Sequence, residues 1–599
     1  MSEEPRLVAD VVVERLRAWG VTRIFGYSGD GINGFMGALR RAGGDPALVQ
    51  ARHEENAALM AVGHAKYTGE VGVMTSTQGP GAVHLLNGLY DAKLDHVPVV
   101  ALVGQQETTV LGSEYQQEID LQSLFKDVAA QFLQTALSPE QVPMLLDRAF
   151  RTALATRSPC VVVLPHDVQQ EDAADLEQEH GVIVTAPEWR RPHVVPRQED
   201  LQRAADVLNA GERVALLVGQ GIREAGEQVR AVADRLGAGV TTSLLGKPWW
   251  DESLAHSCGV MGHLGTSASA YLMGHCDTLL VIGSNDPWTE FYPAPGQARA
   301  VQVDLDGRHL GNRYPVEVGL TGDAADTLAA LLPLLRERED TSWRSDVEAQ
   351  VRAWHELAEE RSRLEARPLN PELVVRSLSP LLPADAQVSV DVGSIVYWYA
   401  RHLRLPPGVP AHLSSTLASM GSALPYGIAA KLSAPDRPVV AMAGDGAMQM
   451  NGVAELITVA HRWRDWADPR FVVLVLHNRE LAEVTWEQRE TEGDPRFEDS
   501  QSLPTFPYAG YAELLGLRGI LVDSPDQLTD AWSQALSADR PVVIEAITDP
   551  DVPLLPPFPG GREKLDSLRR GLEQEGASGE HARALLDEQV RQEERLSGA

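Results

Sequence analysis

Cysteine is scarce in this chain: three in 599 residues, Cys160, Cys258 and Cys276, with no CxxC pair. That excludes a disulfide framework and a cysteine-built zinc site, and it suits a reducing cytoplasm. Runs of lysine and arginine are missing too, and the net charge is −32. Nucleic acid is therefore not an expected partner, and neither is an anionic lipid surface. No apolar run approaches the eighteen or so residues of a membrane span, so no stable membrane insertion is expected. The opening MSEEPRLVADVVVERL is acidic and amphipathic, unlike a secretory leader.

What is present is ample core material. Apolar residues make up 44% of the chain, and its length calls for several domains, with three the natural number. Apolar strands alternate with amphipathic helices almost throughout, the signature of α/β domains with doubly wound parallel sheets.

Two stretches in the last third carry the most chemistry. Val439 to Ala443 reads as a strand that breaks at Gly444-Asp445-Gly446 and re-emerges as a helix from about Met448 to Ala460. Glycines allow a tight turn and close ligand approach, and the helix start is an anion site. An Asp at that turn repels an anion unless a divalent cation lies between them. A second apolar strand, Phe471 to Leu476, ends in Asn478. A carboxylate, an amide oxygen and a backbone carbonyl are hard ligands of the kind Mg²⁺ takes.

This pairing resembles the thiamine-diphosphate motif, Gly-Asp-Gly followed some thirty residues later by Asn. The resemblance implies that Asp445, Asn478 and the carbonyl of Glu480 hold Mg²⁺, with Gly444, Gly446 and Ala447 against the cofactor's diphosphate.

The N-terminal region, 1–180, adds a longer match. Arg52-His53-Glu54-Glu55-Asn56-Ala57-Ala58 opens an Ala-rich helix. Thr77-Gln78-Gly79-Pro80-Gly81-Ala82, Asn87-Gly88-Leu89-Tyr90-Asp91-Ala92, Asp95-His96-Val97-Pro98 and Gly104-Gln105 follow in order. The succession resembles the pyrimidine-binding domain of the pyruvate oxidase, quinone-reducing pyruvate dehydrogenase and acetolactate synthase family. It implies Glu54 as the catalytic glutamate, whose carboxyl hydrogen-bonds N1′ of the cofactor's pyrimidine. It also implies Gly29 and Gln78 as cofactor contacts, and Gln117 and Glu487 as further catalytic residues.

Gly29-x-Gly31-x-x-Gly34 also fits the dinucleotide fingerprint. That motif needs an acidic residue ending the next strand, whereas Glu54 and Glu55 open a helix, so the NAD reading is set aside.

Residues 181–198 are proline-rich and read as a linker. The region 195–336 resembles the family's middle domain, which binds FAD in some members and nothing in others; both readings stand here. Gly219, Gly221 and Arg223 are the candidates for flavin phosphates, and Asp304 or Asp306 for ribose. A charged helical connector leads to the third domain, 368–555, where Gly393 and Ser394 are further cofactor candidates. Met420 takes the place of the apolar residue under the cofactor's bend. The tail, 556–599, is acidic and reads as a solvated surface helix.

The pattern has departures. Ser28 and Ala482 replace common Pro and Gly, and Gln116 stands where the oxidases have Phe. Glu483 stands where they have an aromatic or apolar residue. The pocket they imply is more polar than one built for pyruvate's methyl group. The expected function is decarboxylation of a 2-oxo acid, pyruvate first among them, with oxidation through FAD. The alternative is a non-oxidative acetolactate synthase-like carboligase or decarboxylase. In the family the site lies between subunits, so a homodimer or homotetramer is expected. A non-catalytic scaffold is disfavoured by the presence of Glu54, Asp445 and Asn478 together.

Overall fold

The computed structural model describes residues 6–557 and 564–597. Residues 1–5 of the first expected domain, and 558–563 and 598–599 of the expected tail, lie outside the described residues.

Three six-stranded sheets are built from parallel pairings alone. Their central strands are largely apolar, as burial on both faces requires: Val99–Gln105, Pro159–Pro165 and Phe471–His477 are buried at every position. Across the first sheet the strands run Ala47–Gln50, Arg23–Gly26, Gly72–Ser76, Val99–Gln105, Pro159–Pro165, Leu133–Thr135. The third sheet repeats that order with Ala411–His412, Gln387–Val390, Val439–Gly444, Phe471–His477, Val542–Ile547, Arg518–Val522. The middle sheet runs Ser257–Val260, Gly239–Thr242, Val214–Val218, Thr278–Ile282, Arg299–Asp304, Val318–Thr321, the order of a dinucleotide-binding sheet.

Each order reverses beside its first strand in sequence, and the C-terminal ends of the two strands flanking that reversal open a crevice where ligands bind. In the first sheet those ends lead to Tyr27-Ser28-Gly29 and Thr77-Gln78-Gly79. In the middle sheet they lead to Gly219-Gln220-Gly221 and Gly283-Ser284. In the third they lead to Asp391–Ser394 and Gly444-Asp445-Gly446.

The Glu54–Thr68 helix joins the outer sheets. It is capped by His53, whose Nδ1 accepts the Glu55 N–H at 3.3 Å, and every residue from Asn56 to Lys66 is buried. One face covers the first sheet and another packs on Ala423–Ser433 of the third domain, so the two domains share one apolar core.

The tail departs from expectation. Leu568, Leu572, Ala582, Leu586 and Val590 are buried in the core of the third domain. Two buried ion pairs anchor them, Arg489–Glu575 at 2.8 Å and Arg361–Glu593 at 2.7 Å. Helical spacing gathers those thinly scattered apolar residues onto one stripe, and a tally of composition hides this. Among the described residues no helix is long and apolar enough to cross a membrane.

Candidate active site

The third sheet sets two turns side by side. Val439–Gly444 and Phe471–His477 pair in register up to Gly444 opposite Leu476, so Asp445 and Asn478 leave adjacent strand ends. The Asp445 carboxylate accepts the N–H of Gly446 at 3.0 Å and of Arg479 at 2.6 Å. Burial nevertheless pushes it up to about 6, and a bound cation would restore the charged form. Asn478 Oδ1 accepts the Glu480 N–H at 2.9 Å. The Glu480 carboxylate is engaged elsewhere, by the Thr485 hydroxyl at 2.6 Å and Arg496 at 3.0 Å, which leaves its main-chain carbonyl for a cation.

A methyl group on Gly446 would stand 2.8 Å from Leu481 Cδ2 and 3.2 Å from Met420 Cε, so only glycine leaves Met420 its place across the turn. The helix expected from Met448 starts earlier, at Asp445, and passes through a π-turn at Met448–Gly452. Such turns are frequent at functional sites. Gly393, at φ +89°, opens the Ser394–His402 helix on the neighbouring strand end.

Sequence reasoning passed over what holds these turns together. The buried Asp391 carboxylate accepts the N–H groups of Val392, Gly421 and Ala423 at 2.8–3.0 Å, tying the Gly393 turn to the Met420 segment. The first domain grips the same segment. Lys66 Nζ donates to Asp95 and to the Leu413 carbonyl, both at 2.7 Å, and Asp95 accepts the N–H groups of Ser415 and Thr416. Asp95-His96 stood in a recognised motif, but nothing in the sequence pairs it with residues 320 positions away.

One cavity of about 1120 Å³ joins the clamp to the middle sheet. Gly393, Ser394, Met420, Gly444, Asp445, Gly446, Ala447, Asn478, Glu480 and Glu487 line one end. Gly221, Gly283, Ser284 and Asp304 line the other, with Arg157 and Arg313. Burial raises Asp304, whose Oδ1 accepts the Asp306 N–H at 2.9 Å. Asp306 is bound up with Arg308, which holds it down at about 2.

Two middle-domain expectations are corrected. Arg223 does not reach the cavity. Its guanidinium donates to the carbonyls of Lys66 and Tyr67 at 3.1 and 3.2 Å and lies over the Trp249 ring, docking the middle domain on the first. Gly219 is packed under the Gly283 carbonyl and Ser284, away from the cavity. The Gly219 and Gly221 N–H groups are taken by the carbonyls of Ile282 and Gly283, while Gly221 itself lines the cavity. Arg157, Arg191, Arg308 and Arg313 line the groove; Arg191 is paired with Glu224 and Asp323 and Arg308 with Asp306, and no motif announced any of them.

The first-domain residues gather at their own crevice. Buried Gln78 donates to Asp30 at 3.0 Å and to Gln117 at 3.2 Å, and Gly29 abuts Thr77. Glu54 Oε2 lies 3.0 Å from His84 Nδ1. Gly29, Glu54, Gln78 and Gln117 are absent from the lining of the clamp cavity, so one chain does not bring them to it. Gln116 is likewise outside it, exposed on the 106–120 loop.

Comparison with known proteins matches this architecture piece by piece. Residues 6–124 match the thiamine pyrophosphate enzyme N-terminal TPP binding domain, 201–331 the central domain, and 391–546 the C-terminal TPP binding domain. The chain is 34% identical over 555 residues to the putative thiamine pyrophosphate-containing protein YdaP of Bacillus subtilis, covering 93% of each. It is 31% identical over 571 residues to pyruvate oxidase of Lactiplantibacillus plantarum, covering 94% of this chain and 91% of the relative. It is also 31% identical over 576 residues to acetolactate synthase isozyme 2 large subunit of Escherichia coli, covering 94% and 99%. With three parallel sheets and matches to all three domains, the chain belongs to the family of thiamine pyrophosphate (thiamine diphosphate)-dependent enzymes.

Proposed function

We propose that this enzyme decarboxylates a 2-oxo acid, pyruvate being the first substrate to test, and passes the electrons through FAD to oxygen or a quinone. The observation that carries this reading is the single cavity running from the Asp445–Asn478 clamp to the reversal point of the middle sheet. A redox cofactor in the middle groove would thus face the thiamine site without a wall between them.

The residues suit both groups. Asp445, Asn478 and the Glu480 carbonyl offer three hard oxygens to Mg²⁺, and the turn through Gly444 and Gly446 leaves room for a diphosphate at the start of a helix. Arg157 and Arg313 offer positive charge to a flavin's phosphates, and Asp304 offers an acceptor to its ribose. Bound thiamine diphosphate supplies the electron sink for loss of carbon dioxide, and a flavin takes up the two electrons released. The protein's part would be to offer Met420 as an apolar support for the cofactor and to bring up a carboxyl. Glu54 is absent from the cavity of its own chain, so a second copy would supply it, making the enzyme a homodimer or homotetramer.

A second reading, non-oxidative carboligation, is favoured by identity to acetolactate synthase equal to that with pyruvate oxidase. One absorption spectrum separates the two. Oxidation predicts flavin bands in the purified protein that bleach on anaerobic addition of pyruvate. A colourless protein that FAD does not reconstitute, yet which forms acetolactate, refutes the oxidative reading.

A further inference from the structure

The cavity wall beside the clamp is one face of the Ala482–Thr491 helix. Helical spacing turns Glu483, Glu487 and Glu490 to that side together, and all three line the cavity. Glu490 is matched by Lys564 at 2.7 Å. Among the described residues, neither Glu483 nor Glu487 has a hydrogen-bond or ion-pair partner for its carboxyl.

Glu483 is the one beside the Gly393 turn. Its Oε2 lies 3.8 Å from where a Cβ on Gly393 would stand, at the start of the Ser394–His402 helix. Leu481 and Met420, in the same lining, pack over Gly446 and add apolar surface to it. Glu483 is half-buried, and a ligand that closes the cavity over its carboxyl recovers the cost of covering it only if it can hydrogen-bond, which an alkyl group cannot. Burial, then the neighbouring Glu487, raises Glu483 to about 7. Near neutral pH it can both donate and accept. A hydroxyl both donates and accepts, and matches either form.

The geometry points to a 2-oxo acid bearing a hydroxyl on the carbon next to its keto group, with Glu483 as the side chain that selects it over an alkyl 2-oxo acid. This rests on the 2-oxo acid reading above and names the substrate class of the same cavity.

Hydroxypyruvate and 2-oxobutanoate test it, because they differ only in a hydroxyl against a methyl at that position. The wild-type kcat/KM should favour hydroxypyruvate by about 10-fold or more, equivalent to about 1.4 kcal/mol. Glu483→Gln keeps a donor and an acceptor, and should hold that ratio within about 3-fold. Glu483→Leu should bring the ratio to unity or below. Thiamine diphosphate affinity, read by tryptophan fluorescence quenching, should be unchanged in both variants, since Glu483 is not part of the clamp. A wild-type ratio at or below unity, or a ratio that Glu483→Leu leaves intact, overturns the role of Glu483 and leaves the 2-oxo acid reading standing. Failure to turn over hydroxypyruvate, 2-oxobutanoate and pyruvate alike, with cofactors supplied, overturns both.

Discussion

Replacing Glu575 by Ala should loosen the tail from the cavity wall. The Glu575 carboxylate receives Arg489 in a two-point pair, Nε at 2.8 Å and Nη2 at 2.9 Å, and also accepts the Arg496 N–H at 2.8 Å. The pair is nearly closed to water, with Arg489 2% and Glu575 6% exposed. Arg489 Nη1 already lacks a hydrogen-bond partner, the Trp486 ring lies 4.7 Å away, and the Glu480 and Asp551 carboxylates are near enough only to act through space. Truncating one member of a buried pair strands the other, at a cost of about 3–5 kcal/mol. At about 1.4 kcal/mol per decade, opening of the tail should become about two to three and a half orders of magnitude more frequent. Hydrogen exchange of the amides in 565–597 reads this directly. A global unfolding free energy would not serve, since a chain of several domains does not unfold in one step. Pairing Glu575→Leu with Arg489→Met removes both charges and should restore protection to within about tenfold of wild type, because well-packed apolar replacements of buried pairs are often neutral. An increase in exchange below about fivefold in Glu575→Ala would refute the premise that this pair is desolvated.

Two further outcomes follow from the site. Glu54→Gln should lower kcat by at least about 10²-fold, as loss of a proton-handling carboxyl does, while thiamine diphosphate affinity, measured by calorimetry, stays within about 3-fold because the clamp is untouched; unchanged turnover would remove Glu54 from the reaction. Gly446→Ala places a methyl 2.8 Å from Leu481 Cδ2 and 3.2 Å from Met420 Cε. Overpacking of that kind costs about 1–3 kcal/mol, so the protein should fold with cofactor affinity down by about tenfold, and unaltered affinity would show that Met420 does not border the cofactor.

Much of the scaffold was legible along the chain because local rules govern it. Apolar runs such as Val99–Gln105 and Phe471–His477 are buried on both faces, and a strand of that kind needs no partner to be recognised. Short edge strands were missed, among them Leu133–Thr135 and Ala411–His412, because too few residues carry the pattern. The clamp was legible for a similar reason. Asp445 and Asn478 each end a recognisable strand, and parallel pairing of those strands brings them together. Arg223 misled because a cation after a glycine-rich turn suits a phosphate equally well as the two carbonyls it meets. Nothing within ten residues of Arg223 distinguishes the cases.

The order of residues alone determined that there are three wound sheets and where each breaks into a glycine turn, while the resemblance it carries named the oxygens proposed for a cation in the third. The sheets and turns follow from backbone geometry and side-chain periodicity over a few residues. Only the tertiary structure decided that the clamp and the middle-sheet groove open into one cavity, and that Lys66, Asp95 and Asp391 set the Met420 segment. It also decided that the acidic tail is core and that Glu54 lies apart from the clamp in its own chain. Each of these depends on contacts between residues far apart in sequence, where burial and desolvation, rather than local propensity, choose the partner.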